Sequence, residues 1–244
     1  QVQILKAAWG DAVPAAEVAK ALDADPAIKA VFVQFSESST GARHDIEGLA
    51  RITRERPGTL LVVDAISGAG AMALETQAWG VDIVVVGSQK ALALPPGLAF
   101  LSASARAWER IESAKSPRFY FDLRRERKAQ GGGESAFTPA ISNMVALRAA
   151  LEFVHGLGGV DALVKNAGTL AACTRAAAAA LGLPLVAPRA HGDALTALYP
   201  PSGIDSGAIV KALKAEFGST VAGGQGDLKG KIFRVAHLGY YDTT

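Results

Sequence analysis

The sequence predicts an α/β fold with a mainly parallel sheet flanked by helices, because short apolar runs alternate with helical segments over its first two thirds. Each run has four or five residues rich in β-branched or large apolar side chains, which is typical of strands buried on both faces of a parallel sheet. The segment Val2–Ala7 is also strand-like. The four central runs are Ala30–Gln34, Leu60–Asp64, Asp82–Val86 and Leu98–Ser102.

Amphipathic segments between these runs predict the connecting helices. Asp45–Arg56 begins at a residue suited to the N-cap, and Pro57-Gly58 ends it before the next strand. Ala15–Leu22 and the weaker Ala71–Trp79 have the same character, so helices are expected to cover both faces of the sheet.

The pattern changes after the fourth strand. Ala103–Lys115 predicts another helix, whereas the basic, glycine-containing Arg118–Gly133 predicts a mobile surface connection. Pro139 suits the first turn of a helix over Ala140–Val154. We therefore expect the remainder of a large domain at residues 1–135 and a connecting helix at 136–159.

The last part of the chain predicts a small α+β domain at residues 160–244. Its elements are an alanine-rich helix over Gly159–Leu181, a helix over Asp205–Phe217 and a strand over Lys231–Ala236.

Composition excludes several classes of protein. The 244 residues are 50% apolar with a net charge of +2, which indicates a globular chain and gives no reason to expect a nucleic-acid partner. The single cysteine, Cys173, excludes a disulfide framework and a multi-cysteine metal site, and no other metal-ligand cluster is visible. No apolar run is long enough to span a bilayer, so we expect a cytoplasmic protein without membrane contact.

Two charged side chains stand where predicted strands end. Asp64 is the last residue of its run, and Lys90 follows Ile83–Val86 after a short linker. Ligands of open α/β sheets bind at the carboxyl ends of the strands, where a lysine beside an apolar wall can become a nucleophilic amine. Asp64 would also suit a cap of the following turn, and a lone lysine is more often a solvated surface group.

Two further features carry polar chemistry. Ser36–Gly41 supplies hydroxyl groups and a flexible turn at the same end of the sheet, although a serine-rich turn alone is a weak signal. Arg234 interrupts the apolar run Ile232–Ala236, and an arginine on a half-buried strand needs an anionic partner. That partner could be a structural carboxylate or the carboxylate of a substrate.

Taken in their order along the chain, the segments around these charged and hydroxyl residues resemble those of the class-V aminotransferases, which are pyridoxal-phosphate enzymes of fold type I. The resemblance is strongest to their alanine–glyoxylate and serine–glyoxylate (serine–pyruvate) branch. The resemblance covers essentially the whole chain. It implies an enzyme that moves an amino group between alanine or serine and a small oxo-acid such as glyoxylate or pyruvate. The matching strings are Ser36-Glu37-Ser38-Ser39-Thr40-Gly41, Val63-Asp64-Ala65-Ile66-Ser67, Gly87-Ser88-Gln89-Lys90-Ala91-Leu92 with Pro95-Pro96-Gly97, Phe137-Thr138-Pro139 and Phe233-Arg234-Val235.

The resemblance also implies roles for the residues that act on the cofactor. Lys90 would form the internal aldimine with pyridoxal phosphate and then move a proton between the substrate Cα and the cofactor. Asp64 would pair with the pyridine nitrogen and keep the ring protonated, which makes it an electron sink. Ile66 would pack on the ring face.

The remaining implied contacts involve the edges of the cofactor and the substrate. Ser38 would lie near the ring 3′-oxygen and Gln89 near the phosphate. Thr138 would reach the phosphate from the partner subunit, so the resemblance implies a homodimer with shared sites. Arg234 would bind the substrate carboxylate as a bidentate fork.

Two alternatives stay open. Family members carry an N-terminal third with a phosphate-binding turn and a ring-stacking aromatic, and neither is found in these 244 residues. The chain is therefore expected to be a family chain without its beginning, which would make it a cofactor-binding but inactive fragment or a subunit of a larger complex. A lyase or desulfurase of the same fold is the other alternative. Against a desulfurase, Gln89 rather than histidine precedes Lys90, and Cys173 is expected to be a buried, inert thiol within a helix.

Other functions find less support in the sequence. No Gly-x-Gly-x-x-Gly motif follows a strand, which excludes a nicotinamide-binding protein of the usual type. None of the four histidines is predicted to be catalytic, and His237, which follows the arginine strand, is expected to have a structural role.

Overall fold

The computed structural model describes residues 2–240 and contains two parts with separate hydrophobic cores. The first part is built around a four-stranded sheet. Its elements are α1 (Ala15–Ala24), β1 (Ala30–Gln34), β2 (Ser36–Glu37), β3 (Ala42–Arg43), α2 (Ile46–Arg54), β4 (Leu60–Asp64), α3 (Thr76–Trp79), β5 (Ile83–Gly87), β6 (Ala99–Ala103), α4 (Ala105–Ser113) and α5 (Leu123–Gly131).

The four-stranded sheet has the order β1-β4-β5-β6. β1, β4 and β5 are parallel, and β6 runs antiparallel to β5. The predicted α/β class with a mainly parallel sheet is therefore confirmed. Asp45 is the N-cap of α2, where its side chain accepts a hydrogen bond from Gly48 N, as its position in the sequence suggested.

The sheet buries one face more completely than the other. Leu61 and Val63 are fully buried and belong to the same core as Leu22 of α1 and Leu49 of α2. Side chains alternate along a strand, so Val31 and Val33 face this core whereas Phe32 points to the opposite face, where it remains 78% exposed. The expectation that these strands are buried on both faces is thus wrong for β1, because the core of the described residues packs on one side only.

The strand suggested by Val2–Ala7 does not form, and this segment is exposed. Within residues 2–240, β1 pairs with β4 alone. A cavity of about 1280 Å³ is lined by residues of the segment 2–13, of α1 and of β1. Another expected element is also shorter than predicted, since only Thr76–Trp79 of the segment 71–79 is helical.

The predicted mobile connection at 118–133 is wrong, because α5 occupies most of it. Asp122 is the N-cap of α5, where its side chain accepts a hydrogen bond from Arg124 N. The helix is rich in arginine, lysine and glutamine, whose unbranched side chains favour helix formation. The guanidinium of Arg125 also packs over the rings of Phe119 and Phe137, at 4.8 and 5.0 Å from their centroids.

The second part consists of helices and a small antiparallel sheet, in which β7 (Leu195–Leu198), β9 (Phe233–Ala236) and β8 (Ala222–Gly223) lie in that order. The sequence did not predict β7, whose four residues are all buried. The elements are α6 (Ile141–Gly156), α7 (Val160–Ala180), β7 (Leu195–Leu198), α8 (Ser206–Phe217), β8 (Ala222–Gly223), a 3-10 turn (Gly226–Leu228) and β9 (Phe233–Ala236).

Cys173 lies on α7 and is exposed, so the expectation of a buried thiol is wrong. The buried residues of this long alanine-rich helix are Ala167, Ala171 and Ala178. No helix within residues 2–240 is long and apolar enough to cross a bilayer.

Candidate active site

A cavity of about 830 Å³ lies at the carboxyl ends of the parallel strands. It forms there because β1, β4 and β5 run in the same direction and their following loops meet at one edge of the sheet. The residues on its wall come from β1, β4 and β5 and from the loops that follow these three strands. The polar residues that line it are Gln34, Ser36, Glu37, Ser38, Asp64, Ser67 and Lys90, and the apolar ones are Phe32, Val33, Val62, Ile66 and Val85.

Asp64 and Lys90 both line this cavity without pairing with each other. Asp64 is the last residue of β4, and its Oδ1 accepts a hydrogen bond from Ile66 N at 2.9 Å. Within residues 2–240, no ion pair involves either Asp64 or Lys90. The cavity therefore presents an acid and an amine that are separately available to a bound molecule.

The loop after β1 forms a small hairpin of β2 and β3. Glu37 organises it, because its carboxylate accepts hydrogen bonds from the Ser39 backbone and hydroxyl and from Gln34 Nε2. Burial alone would raise the pKa of Glu37, but the hydrogen bonds from Ser39 and Gln34 outweigh it and hold the pKa below its usual range. Within the string Ser36–Gly41, nothing in the sequence alone singles out Glu37.

Gly41 lets this hairpin pack against the C-terminal sheet. Its φ is +78°, and a Cβ atom there would lie 2.9 Å from the carbonyl oxygen of Leu195. A side chain at this position would therefore be strained and would push the hairpin away from β7.

Two serine hydroxyl groups meet inside the cavity. Ser38 Oγ lies 2.7 Å from Ser67 Oγ, which joins the loop after β1 to the loop after β4. The nearby hydroxyl group of Ser36 is buried and has no hydrogen-bond partner among residues 2–240. Ser36 and Ser67 are further site residues that the sequence reasoning missed, and their positions within the matching strings were the available signal.

Arg234 extends from β9 to the same loop. Its Nη1 donates a hydrogen bond to the carbonyl oxygen of Ser38 at 2.6 Å, and its Nε donates to the carbonyl oxygen of Gly223 at 2.9 Å. Among the described residues no carboxylate forms an ion pair with Arg234. Burial lowers the pKa of Arg234, and the charge of Glu37 acts in the opposite direction.

Three of the predicted site residues, Gln89, Thr138 and Arg234, do not line this cavity. The side-chain amide of Gln89 is exposed and lies close to Gly87. Thr138 is exposed in the loop before α6. That loop is held by its own contacts, since Ser135 Oγ donates to the Phe137 carbonyl at 2.6 Å.

The described residues contain no cluster of three or more His, Cys, Asp or Glu side chains that could hold a metal ion. His237 is buried, and its Nε2 lies 2.9 Å from Thr196 Oγ1. Burial lowers the pKa of His237 to about 4, and the nearby Arg175 acts in the same direction. These contacts indicate a neutral histidine within the C-terminal part.

Comparisons with known proteins identify relatives along nearly the whole chain. The sequence model of the family described as aminotransferase class-V matches residues 2–226. The small subunit of a soluble hydrogenase from Synechococcus sp. (strain PCC 6716) is 40% identical over 87% of this chain and 55% of its own length. The L-aspartate–glyoxylate aminotransferase of Paracoccus denitrificans is 34% identical over 98% of this chain and 61% of its own.

A solved structure gives the same result for the fold. The alanine–glyoxylate aminotransferase of Nostoc sp. superimposes with a TM-score of 0.87 and 30% identity, covering 95% of this chain and 62% of its own. The chain thus spans about 55 to 62% of the length of these three proteins.

Proposed function

Because the chain belongs to the class-V aminotransferase family, we propose that it is a pyridoxal-phosphate-dependent aminotransferase. The proposed reaction moves an amino group between a small amino acid, alanine or serine, and a small oxo-acid such as glyoxylate or pyruvate. The observation that carries the proposal is the single cavity that Ser38, Asp64 and Lys90 share, with Arg234 bound to its rim. Glyoxylate is also named as a substrate of the relatives from Paracoccus and Nostoc.

The side chains of the cavity suit the different parts of pyridoxal phosphate. A carboxylate complements a protonated ring nitrogen, a primary amine binds an aldehyde, and a hydroxyl group donates to a ring oxygen. Asp64, Lys90 and Ser38 supply these three groups, and Ile66 adds an apolar surface for the flat ring. The buried, unpartnered hydroxyl of Ser36 is a further hydrogen-bonding group on this wall.

Lys90 and Asp64 divide the chemistry between them in this proposal. When bound, the cofactor supplies an aldehyde that accepts the amino group and a ring that withdraws electrons from the substrate Cα. Lys90 Nζ would bind the aldehyde, leave it when the substrate amine takes its place, and then move a proton from the substrate Cα to the carbon of that aldehyde. The Asp64 carboxylate would hold a proton on the ring nitrogen, because a negative charge beside a base favours its protonated form.

Arg234 would bind the carboxylate that every amino-acid substrate and oxo-acid product carries. Its guanidinium keeps N–H groups available after donating to the carbonyl groups of Ser38 and Gly223. Since no internal carboxylate within residues 2–240 forms an ion pair with it, an incoming carboxylate would meet a guanidinium without a direct anionic partner.

The proposal includes a homodimer and the domain division given above. Thr138 and Gln89 would bind the phosphate, with Thr138 supplied by the partner subunit, which accords with its exposed position away from the cavity of its own chain. The large domain would comprise residues 1–135, the connecting helix 136–159 and the small domain 160–244. The separate cores of the two parts support this division. A cytoplasmic location is proposed from the single cysteine.

A second candidate function is that of a cofactor-binding subunit without aminotransferase activity. The observation in its favour is the 40% identity to a protein named as the small subunit of a soluble hydrogenase. This candidate predicts that the cavity binds pyridoxal phosphate but that no amino donor reacts there. A lyase of the same fold would instead consume an amino acid without an oxo-acid acceptor.

The experiment is a spectroscopic titration of the purified protein with pyridoxal phosphate. We expect a visible absorbance band to appear and to be abolished in Lys90→Ala, because the amine that binds the aldehyde is removed. Lys20→Ala is the matched control, since Lys20 is a surface residue with a 73% exposed side chain. A band of equal strength in Lys90→Ala, or no band in the wild type, would contradict the proposal.

The second stage of the experiment separates the candidate functions. Addition of alanine or serine should remove the visible band, and glyoxylate or pyruvate should restore it. A band that persists with every amino donor would support the non-enzymatic subunit. If aspartate removes the band but alanine and serine do not, the proposed amino donors are wrong and the family assignment stands.

A further inference from the structure

The hydroxyl groups of Ser38 and Ser67 form a pair whose geometry restricts where their protons point. The two oxygens are 2.7 Å apart, and both residues line the cavity that contains Asp64 and Lys90. Ser67 is 8% exposed, and Ser38 Oγ is its one hydrogen-bond partner among residues 2–240. Each serine hydroxyl has one proton, so the hydrogen bond between them uses one of two protons and leaves the other free.

The backbone of Ser38 is already fixed from the opposite side. Its carbonyl oxygen accepts the hydrogen bond from Arg234, and Glu37 holds the next residues of the loop through Ser39. The hydroxyl proton of Ser38 can still rotate about the Cβ–Oγ bond, which has three staggered positions. The hydrogen bond with Ser67 Oγ restricts this rotation.

We infer that Ser67 is a positioning residue, which donates its proton to Ser38 Oγ so that Ser38 directs its own proton toward an anionic oxygen of the molecule bound in the cavity. This inference rests on the proposed function, in which that oxygen is the ring oxygen of pyridoxal phosphate. A hydroxyl that accepts a hydrogen bond becomes a better donor, because successive hydrogen bonds polarise one another. Ser67 thereby strengthens the contact of Ser38 without touching the cofactor.

The inference is tested with Ser67→Ala and Ser67→Thr. In Ser67→Ala the dissociation constant of pyridoxal phosphate should rise about five- to tenfold, the effect of one weakened hydrogen bond. The midpoint of the pH titration of the visible band should rise as well, because a ring oxygen with a weaker donor keeps more negative charge and favours the protonated chromophore. Ser67→Thr keeps the hydroxyl group. Its dissociation constant should therefore stay within about twofold of the wild-type value, and its titration midpoint should stay at the wild-type pH.

Controls distinguish positioning from a general loss of structure. Ser206→Ala removes another buried serine hydroxyl that has no hydrogen-bond partner among residues 2–240 and lies outside the cavity, so it should change neither value. Thermal melting of the cofactor-free variants shows whether they fold. If Ser67→Thr is misfolded, Ser67→Ala in a Ser38→Ala background replaces it, and there the second substitution should leave the titration midpoint unchanged.

Two outcomes would overturn the inference while leaving the proposed function standing. One is a Ser67→Ala protein with the wild-type midpoint and affinity. The other is a Ser67→Ala substitution that shifts the titration midpoint by the same amount in the wild type and in the Ser38→Ala background. A wild-type protein that shows no visible band with pyridoxal phosphate would instead be a failure of the proposed function itself.

Discussion

Arg234 Nη1 donates a hydrogen bond to the carbonyl oxygen of Ser38 at 2.6 Å and so connects the C-terminal sheet to the loop that follows β1. Its Nε is also occupied, by the carbonyl oxygen of Gly223. A guanidinium group has five N–H donors, so three remain, all on Nη1 and Nη2. A carboxylate can then form a bidentate contact through the two Nη atoms, since the side that includes Nε is already used.

This geometry predicts the effect of removing the guanidinium. Arg234→Ala should lower kcat/KM roughly 150-fold, since a charge-assisted bidentate contact is lost. This factor corresponds to a loss of about 3 kcal/mol of transition-state stabilisation. Arg234→Lys should recover little, because a single ammonium group cannot bind the Ser38 carbonyl and both carboxylate oxygens. Steady-state kinetics and pyridoxal-phosphate titration are the measurements. Arg189→Ala, at an exposed arginine paired with Asp11, is the control and should retain full activity.

The Arg234 prediction has a specific contradiction. If Arg234→Ala loses the cofactor but keeps wild-type turnover per molecule of bound cofactor, the arginine holds the loop together and does not bind the substrate.

Much of the first sheet could be predicted from the sequence because each strand is a local signal. Ala30–Gln34 and Leu60–Asp64 were predicted with the bounds that the structure has, since continuous apolar runs end at polar or turn-forming residues. The same local logic placed Asp64 and Lys90 at one edge of the sheet. Parallel strands bring their carboxyl ends together, so the direction of the strands was enough.

The parts that could not be predicted depend on contacts between distant segments. β7 is recognisable as a strand only through its pairing with β9, and the pair Ser38–Ser67 joins loops 29 residues apart. The exposure of Phe32 also depends on which face of the sheet receives the core, which strand composition does not specify. For α5, the prediction of a loop is wrong because basic residues suit an exposed loop as well as a helix, and here their unbranched side chains favour the helix.

The exposed apolar face of α6 predicts where a partner subunit binds. Ile141 and Val145 are 66% and 65% exposed and lie one helical turn apart, shortly after Thr138. The double variant Ile141→Glu/Val145→Glu should raise the dimer dissociation constant at least about tenfold, because each buried, unpaired carboxylate carries a large desolvation cost. Sedimentation equilibrium measures this. Phe217→Glu, at another exposed apolar residue on α8, should leave the dimer intact, and a monomeric wild type would contradict the prediction.

Asp82 and Arg106 form an ion pair that predicts a large effect on stability. Asp82 is 2% exposed, and Arg106 Nη2 lies 2.6 Å from its Oδ2. Burial raises the pKa of Asp82, but the hydrogen bonds from Arg106, Leu61 N and Ser104 outweigh it and hold the pKa below its usual range. Arg106→Ala should lower the free energy of unfolding by about 3 kcal/mol, since it leaves a buried carboxylate without its cation.

Chemical denaturation at neutral pH measures this effect, and a surface pair provides the control. Arg148 and Glu152 pair on α6 with side chains that are 82% and 65% exposed, so Arg148→Ala should change the free energy of unfolding by less than about 0.5 kcal/mol. Equal effects of the two substitutions would show that burial does not decide the strength of the Asp82 pair.

His237 predicts a loss of stability in mild acid. Its pKa is lowered from an ordinary value of 6.5 to about 4 by burial, with Arg175 acting in the same direction, so the unfolded chain takes up a proton that the folded protein excludes. The contribution of a neutral His237 is therefore fully present above about pH 6.5 and is lost as the pH falls toward 4.

Between pH 7 and pH 5 the free energy of unfolding should fall by about 1–2 kcal/mol more in the wild type than in His237→Gln. Urea denaturation at the two pH values is the measurement, and His155→Gln, at an exposed histidine on α6, should behave as the wild type. If His237→Gln loses as much stability as the wild type over this interval, other groups cause the acid sensitivity, and His237 is not excluded from protonation in the folded state.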